Sequence, residues 1–407
     1  MLWKRIVAVL TVLLLLGVAC MRTLAAAAGL PEEALPTDAA IQEEAMPTAA
    51  VPSVDLSLPC RAALLMSSDT GEVLYESAAD EQLPMASITK VMTLLLTFEA
   101  LDVGKVTLKD SVPTSEHAYS MGGSQIWLEP GEQFTLHEMI KAICVSSAND
   151  AAVAVAEFIG GSEPAFVELM NARAAQLGMT HTCFKNACGL DEDGHYSSAR
   201  DIAVMSLELM KHEKIFEYTG IWTDTLRNGA TQLTNTNKLL RSYDGITGLK
   251  TGTTGRAGVC ISATATRNGT GLIAVILGAA SSKERFAAAK TLLDYGFANY
   301  ECTEFPAPTD LPDTLPVHGG AAETAQLVCD LPQRLLVRKG EGPQLHCEVR
   351  VQSDASAPLA AGQQIGQVTL LYGEEERAVY PVCVAQAVEK MDFSLAMELL
   401  RQSLFRL

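Results

Sequence analysis

The sequence predicts a protein of the α/β (α+β) class, in which helices cover an antiparallel sheet, followed by a small all-β domain and a C-terminal amphipathic helix. Strand patterns occur near residue 62 and again from residue 245, with helical patterns between them. Strands at both ends of such a region predict one sheet that the intervening helices cover. Four prolines between residues 304 and 317 then precede a series of short strand patterns, and an apolar stripe ends the chain.

Composition sets the first limits on size and partners. The chain has 407 residues, of which 48% are hydrophobic, so it can form two or three domains with sizeable cores. The formal net charge is −18, from 30 Lys and Arg against 48 Asp and Glu. Nucleic-acid binding requires a basic surface that neutralises phosphates, so the composition argues against a nucleic-acid partner.

The N-terminus has the pattern of a targeting segment. Two basic residues precede an apolar run from Ile6 to Cys20, which is too short for a comfortable membrane span. Small residues at 24–28 offer a cleavage site, so residues 1–28 are predicted to be a secretory signal peptide, with an uncleaved anchor as the alternative. Cys20 ends a faint lipoprotein-like sequence, but Gly17 stands where a large aliphatic residue is expected.

Composition changes also predict how the chain is divided. Residues 29–54 are rich in proline, alanine and acidic residues without periodicity, which is typical of a disordered tether. The full prediction is a signal peptide (1–28), this tether (29–54), a main domain (55–303), a linker (304–317), a small β-rich domain (318–390) and an amphipathic membrane-associating helix (391–407).

A hairpin opens the main domain. Apolar residues 62–66 and 73–75 flank a turn sequence that contains Gly71. A helical run over residues 91–100 follows, and Ser87-Ile88-Thr89-Lys90 leads directly into it. Since residues three apart share a helical face, Ser87 and Lys90 are predicted to lie side by side.

Capping signals place the elements that follow. Thr135-x-x-Glu138 is a capping box, and Asn268-Gly269 is a strong hairpin signal between two strand patterns. Helices are predicted over residues 135–144, 149–161 and 164–177, from 198 onward and from 281 to about 295. Strands are predicted over residues 246–251, 257–266, 271–277, 335–337, 345–351, 367–372 and 379–384.

The last residues, Phe393 to Leu407, combine an apolar stripe with cations that lie largely off it. This pattern predicts a helix that lies on a membrane surface. Packing of the same helix on its own domain is the alternative.

Three short motifs carry the candidate chemistry. Each alone is weak, because Ser and Asn often cap helices and Lys-Thr-Gly can simply end a strand. Together, in this order and at the edges of helices and strands, they resemble the motifs of penicillin-binding proteins and class A β-lactamases. The motifs are Ser87-Ile88-Thr89-Lys90, Ser147-Ala148-Asn149 and Lys250-Thr251-Gly252-Thr253.

The resemblance extends from about Cys60 to Tyr300 and is to the serine-type D-Ala-D-Ala carboxypeptidases, low-molecular-mass penicillin-binding proteins, on their sporulation-associated branch. The β-rich domain and the tail match the layout of that family. Ala187-Cys188 departs from the pattern, since Pro or another polar residue is expected there. Further matching segments are Gly131–Thr135, Asn171, Gly189–Asp191, Gly194–Tyr196, Thr234–Asn237 and Leu272–Val275.

The resemblance implies a serine DD-peptidase/β-lactamase-like catalytic domain over residues 55–303. The implied reaction removes the terminal D-alanine from peptidoglycan pentapeptide stems through an acyl-enzyme on Ser87, which β-lactams trap. The resemblance implies that Ser87 is the nucleophile, Lys90 its base and Ser147 a proton relay. Asn149 is implied to contact Lys90 and the substrate carbonyl, and Lys250 to be a second cation. The implied substrate-binding strand carries Lys250, Thr251, Gly252 and Thr253, and the implied oxyanion hole consists of the backbone N–H groups of Ser87 and Thr253. Burial and Lys250 together are expected to lower the pKa of Lys90.

Other readings of the sequence are less well supported. A class A β-lactamase needs a deacylating base, usually in Glu-x-x-Leu-Asn, and the sequence has no such string. A non-catalytic cell-wall-binding protein would be favoured by loss of Ser87 or Lys90, and both are present. The implied location is the outer face of the cytoplasmic membrane or the cell wall.

No cofactor and no metal site is predicted. His181, Cys183, Cys188 and His195 could suggest zinc, but their spacing lacks a tight Cys-x-x-Cys pattern. A local Cys183–Cys188 disulfide and a pair of buried free thiols are the two alternatives that the sequence favours.

Overall fold

The computed structural model describes residues 54–404, with side chains except those of 398–400 and 402–404. The predicted signal peptide and, apart from Val54, the predicted tether lie outside the described residues. Strands are β1 Ala62–Ser67, β2 Val73–Ser77, β3 Ser111–Pro113, β4 Gln133–Thr135, β5 Thr223–Leu226, β6 Thr231–Thr234, β7 Ile246–Thr254, β8 Gly258–Arg267, β9 Thr270–Ala279, β10 Tyr300–Glu304, β11 Thr314–His318, β12 Thr324–Val328, β13 Arg334–Arg338, β14 Leu345–Val351, β15 Ala355–Ser356, β16 Gln364–Tyr372 and β17 Glu375–Val384. Helices are α1 Lys90–Asp102, α2 Glu116–Tyr119, α3 Leu136–Val145, α4 Asn149–Gly160, α5 Glu163–Gln176, α6 Ala199–Met210, α7 Phe216–Thr219, α8 Ser282–Asn299 and α9 Phe393–Leu404.

The main sheet joins the two ends of the first region, as predicted. Its five antiparallel strands have the order β2-β1-β9-β8-β7, so β1 pairs with both its neighbour β2 and the distant β9. The β8–β9 turn places Asn268 and Gly269 at φ 49° and 77°, as an Asn-Gly hairpin requires. This order leaves β7, which carries Lys250 to Thr253, as an edge strand.

Helices cover both faces of this sheet. Alternate residues of a strand point to opposite faces, and in β1 Leu64 belongs to one apolar cluster and Leu65 to another. The cluster of Leu64 also contains the apolar residues of α1, α3, α4 and α6, whereas that of Leu65 contains those of α8. The sheet therefore lies between α8 and the larger helical layer.

Capping hydrogen bonds confirm the predicted starts of α3 and α6, whereas α8, predicted to end near residue 295, extends to Asn299. Thr135 and Glu138 form both hydrogen bonds of a capping box at α3, and Ser198 caps α6 through Asp201 N. Helix α4 ends at Gly161, whose φ of 82° is left-handed. A 3-10 turn over Ala86–Thr89 precedes α1 and carries Ser87.

The C-terminal part is all-β. Six strands form a sheet of order β14-β16-β17-β12-β11-β15 around their own apolar cluster. The four predicted strands are present, but β11 was not predicted and begins inside the segment predicted as a linker, 304–317. Leu315 and Val317 in β11 are buried, so apolar contact outweighs the missing N–H of Pro316. In addition, β10 at the end of the main domain pairs with β13.

The described chain ends in helix α9, within the predicted segment 391–407. Phe393 and Met397, one turn apart on it, are 82% and 51% exposed. Across residues 54–404, each helix is too short or too polar to cross a bilayer.

Candidate active site

Ser87 is the partly exposed residue of an otherwise buried 3-10 turn. Backbone from two sides approaches it closely. A Cβ added to Gly252 in β7 would lie 2.9 Å from Ser87 N, and one added to Gly189 would lie 2.9 Å from the same nitrogen. A side chain at either position would meet the turn, so both glycines keep the space around Ser87 N free of side chains.

Lys90 begins α1 and is completely buried. Its Nζ lies 3.0 Å from Ser87 Oγ, 2.5 Å from Asn149 Oδ1 and 2.6 Å from the carbonyl oxygen of Cys188. A neutral amine has two N–H groups and one lone pair. Two pure acceptors and one hydroxyl fit that form, because the amine can donate to the acceptors and accept the hydroxyl proton.

Burial is the main reason why the pKa of Lys90 is lowered to about 8, whereas the negative form of the Cys188 thiol and the Asp150 carboxylate would raise it. At pH 7 to 8 a useful fraction of Lys90 is then neutral, as a general base must be. Burial alone lowers this pKa, so the expectation that Lys250 would lower it together with burial is wrong.

Lys250 is the second buried cation of the site. Its Nζ donates to Ser147 Oγ at 2.8 Å and to the carbonyl of Thr251 at 2.9 Å. Burial, and after it the positive charge of Lys90, lowers the pKa of Lys250 well below its usual value. Ser147 adopts φ 62°, an unusual conformation for a serine, and it holds the hydroxyl against Lys250.

Asn149 connects the base to a neighbouring segment. Its Oδ1 accepts from Lys90, and its Nδ2 donates to the carbonyl of Gly122 at 2.7 Å. An amide nitrogen carries two N–H groups, so one remains for a substrate carbonyl.

The residues predicted to form a substrate-binding strand lie on β7, the edge strand of the main sheet. Thr251 is buried and donates to Thr236 Oγ1 at 2.7 Å, whereas Thr253 is exposed. Thr253 follows Gly252, where an added Cβ would lie 2.9 Å from Ser87 N, so the backbone N–H groups of Ser87 and Thr253 belong to neighbouring stretches of chain. Thr236 had no assigned role from the sequence.

A loop over residues 186–196 supplies contacts that the sequence did not predict. The carbonyl of Cys188 binds Lys90, and a backbone carbonyl gives no signal in residue type. Thr93 Oγ1 donates to the carbonyl of Ala187 at 2.6 Å, and the buried Glu163 carboxylate accepts from Ala187 N at 2.9 Å. Ala187, where the sequence departs from the family pattern, is therefore held by hydrogen bonds at both its carbonyl and its N–H. These bonds orient the carbonyl of the next residue, Cys188, toward Lys90.

His195 and the nearby cysteines have structural contacts. His195 Nδ1 accepts from Lys185 N, and its Nε2 lies 2.7 Å from Thr89 Oγ1 in the turn of Ser87. Burial lowers the pKa of His195 to about 4, so the ring is neutral at pH 7. Cys183 and Cys188 are free thiols, which contradicts the disulfide alternative. Within the described part of the chain, no group of three or more His, Cys, Asp or Glu could hold a metal ion.

Two sequence profiles of known protein families match this chain, one over the main domain and one over the C-terminal β-rich part. The sequence profile described as D-alanyl-D-alanine carboxypeptidase matches residues 47–281, more than half of the chain. The chain belongs to the D-alanyl-D-alanine carboxypeptidase family. A second profile, described as penicillin-binding protein 5, C-terminal domain, matches residues 306–390. The predicted fold class and family are therefore confirmed.

Named relatives in this family include D-alanyl-D-alanine carboxypeptidase DacF of Bacillus subtilis, which is 43% identical over 343 residues, 83% of this chain and 88% of that protein. The crystal structure of penicillin-binding protein 5 from Haemophilus influenzae has a TM-score of 0.74 and 29% identity, and covers 83% of this chain and 99% of its own. Penicillin-binding protein D2 of Listeria monocytogenes, solved in an ampicillin-bound form, has a TM-score of 0.55 and 34% identity, and covers 60% of this chain and 100% of its own.

Proposed function

We propose that the protein is a serine-type D-Ala-D-Ala carboxypeptidase that removes the terminal D-alanine from peptidoglycan pentapeptide stems. The observation that carries this proposal is the set of contacts around Lys90 Nζ, with the nucleophile Ser87 on one side and two acceptors on the others. These contacts equip Ser87 for acyl transfer without any cofactor.

In the first step, neutral Lys90 takes the proton of the Ser87 hydroxyl as Oγ attacks the carbonyl carbon of the penultimate D-alanine. The carbonyl π electrons move to oxygen, and the backbone N–H groups of Ser87 and Thr253 stabilise that negative charge. Lys90 becomes an ammonium ion with three N–H groups, and its existing contacts supply three acceptors. The site therefore suits both protonation states of the base.

In the second step, the oxyanion re-forms the C=O bond as the C–N bond breaks, and the departing amine of the terminal D-alanine takes, through Ser147, the proton that Lys90 received from Ser87. Ser147 Oγ can pass this proton because it already accepts a hydrogen bond from Lys250. Lys250, Thr251 and Thr253 anchor the terminal carboxylate, and a peptide can add to β7 as an extra strand. Water then hydrolyses the ester on Ser87, releasing the shortened stem.

A synthetic peptide tests the proposal directly. Incubation with diacyl-Lys-D-Ala-D-Ala is expected to release one D-alanine per peptide, and a fluorescent penicillin is expected to label Ser87 stably, since a β-lactam would form the same ester without rapid deacylation. Mass spectrometry of the labelled peptide locates the ester. Rapid penicillin turnover would instead support the β-lactamase alternative, and absence of both labelling and release would support a non-catalytic wall-binding protein.

We also propose that the protein is exported and that its C-terminal helix holds it at the outer face of the cytoplasmic membrane. Residues 1–28 have the signal-peptide pattern, and the exposed Phe393 and Met397 give α9 an apolar side. An interfacial helix binds through such an apolar side and nearby cations.

Deleting residues 393–407 is expected to move the protein from the membrane fraction to the soluble fraction. N-terminal sequencing of the purified protein is the control, because an uncleaved signal would hold the chain by itself. If the N-terminus lies past residue 28 and the shortened protein still sediments with membranes, the helix is not the anchor.

A further inference from the structure

Trp127 combines exposure and strain in a way that neither the catalytic motifs nor the fold requires. Its side chain is 73% exposed, whereas its neighbours Ile126 and Leu128 are each 1% exposed. Its φ is 52°, a conformation that is costly for a bulky residue and persists only where the surroundings enforce it. A large exposed indole held in this way is a candidate for contact with a ligand.

The backbone around Trp127 is fixed by two charged side chains. The buried carboxylate of Asp150 accepts from Ile126 N and from Leu128 N, both at 3.1 Å. Arg227 donates to the carbonyls of Ile126 at 2.9 Å and of Trp127 at 3.0 Å. These bonds hold the main chain on both sides of the indole, so the ring projects from a rigid base.

The same segment is attached to the catalytic residues. Asp150 directly follows Asn149, whose backbone N donates to the carbonyl of Ser124 at 2.7 Å and whose side chain donates to that of Gly122. A Cβ on Gly123 would lie 2.8 Å from Asn149 Nδ2 and 3.9 Å from a methyl group of Leu190. Residues 122–124 therefore border the site on the Asn149 side and approach the loop that contacts Lys90, and Trp127 follows them by three residues.

A peptide bound as the proposed reaction requires would lie along this border. With its terminal carboxylate at Lys250 and its scissile carbonyl at Ser87, the acyl part of the peptide runs beside Asn149, whose free N–H is available to it. The residue that precedes D-Ala-D-Ala is a diamino acid in the probe peptide, with a chain of four methylene groups. Such a chain gains most from a flat apolar surface at the border of the site.

We propose that Trp127 is a specificity-determining residue whose indole packs against the aliphatic side chain of the residue preceding D-Ala-D-Ala. This inference rests on the proposed carboxypeptidase activity. It concerns the choice among acyl peptides, which is separate from the ability to release D-alanine.

Two substrates distinguish the proposed role of Trp127 in choosing acyl peptides from the ability to release D-alanine. For diacetyl-Lys-D-Ala-D-Ala, Trp127→Ala is expected to lower kcat/KM about tenfold, mainly through KM, with Trp127→Phe retaining most of the activity. For acetyl-Ala-D-Ala-D-Ala, which lacks the long side chain, the same variant is expected to change kcat/KM less than about twofold. Leu169→Ala, at an exposed apolar residue of α5, serves as the matched control and is expected to affect neither substrate.

Equal losses for both substrates, or no loss for either, would overturn the assignment of Trp127, while Ser87-dependent release of D-alanine would leave the carboxypeptidase proposal standing. Absence of release from both peptides in the wild type would instead reject the proposed function itself.

Fluorescence gives a readout that does not need turnover. The chain has three tryptophans, so Trp3→Phe with Trp222→Phe leaves Trp127 as the single emitter. In that protein with Ser87→Ala, the Lys peptide is expected to shift the emission saturably to shorter wavelength, and the Ala peptide to shift it much less. An unchanged spectrum at saturating Lys peptide would show that the indole does not contact the substrate.

Discussion

Ser87→Ala is expected to reduce D-alanine release by about 10⁴-fold or more and to eliminate covalent labelling by penicillin. The hydroxyl is the group that forms the ester, and nothing else in the turn over Ala86–Thr89 can replace it at that place. Alanine keeps the turn intact, because the neighbours of Ser87 are held by their own burial. The measurements are D-alanine release from the Lys peptide and gel fluorescence after penicillin treatment.

The control for this variant is Ser146→Ala, which removes a nearby hydroxyl that donates to the carbonyl of Ala142 at 3.0 Å. It is expected to keep near-normal labelling. If Ser87→Ala were still labelled at the wild-type rate, the nucleophile would have to be another residue, and the contacts around Lys90 would need a different explanation.

Lys90→Met is expected to slow acylation of Ser87 by about 10³-fold, the usual range for loss of a positioned general base. Methionine fills a similar volume, so the packing of α1 changes little, but Ser87 loses its proton acceptor. Stopped-flow acylation by a chromogenic β-lactam measures the effect.

The pH dependence identifies the base behind that loss. Neutral Lys90 is the active form and its pKa is about 8, so the wild-type acylation rate should rise about tenfold per pH unit below that value and level off above it. The rise should be absent in Lys90→Met. Lys105→Met is the matched control, since Lys105 also bonds a helix carbonyl, that of Ile159, but lies outside the site. A normal rate and pH profile in Lys90→Met would assign the base role elsewhere.

Local signals in the sequence were sufficient to predict the Ser87–Lys90 pair at the centre of the site. The three-residue spacing of Ser87 and Lys90 predicted that they lie side by side, and Lys90 Nζ is 3.0 Å from Ser87 Oγ at the start of α1. Capping residues such as Thr135 and Ser198 fixed helix starts because their side chains bind the first free N–H groups. Such features depend on neighbours in sequence, so the residue types report them.

Contacts made by the backbone could not be predicted in this way. The carbonyl of Cys188 reaches Lys90 only because Thr93 and Glu163, from α1 and α5, hold the preceding residue. Strand β11 was missed for a related reason: Pro316 interrupts a short pattern whose burial depends on strands that come later in the chain. Both features depend on tertiary contacts, which single-sequence patterns do not encode.

The 3-10 turn over Ala86–Thr89, helix α4 and the loop over residues 186–196 each supply one of the groups around Lys90, and the sheet beneath them closes only when β1 pairs with β9. A chain in which these segments have not yet met therefore carries a serine and a lysine with ordinary reactivity. The activity therefore depends on tertiary contacts between segments that lie far apart in the sequence. Penicillin labelling during refolding therefore measures how fast the native state forms, because only a chain whose distant segments have met can react.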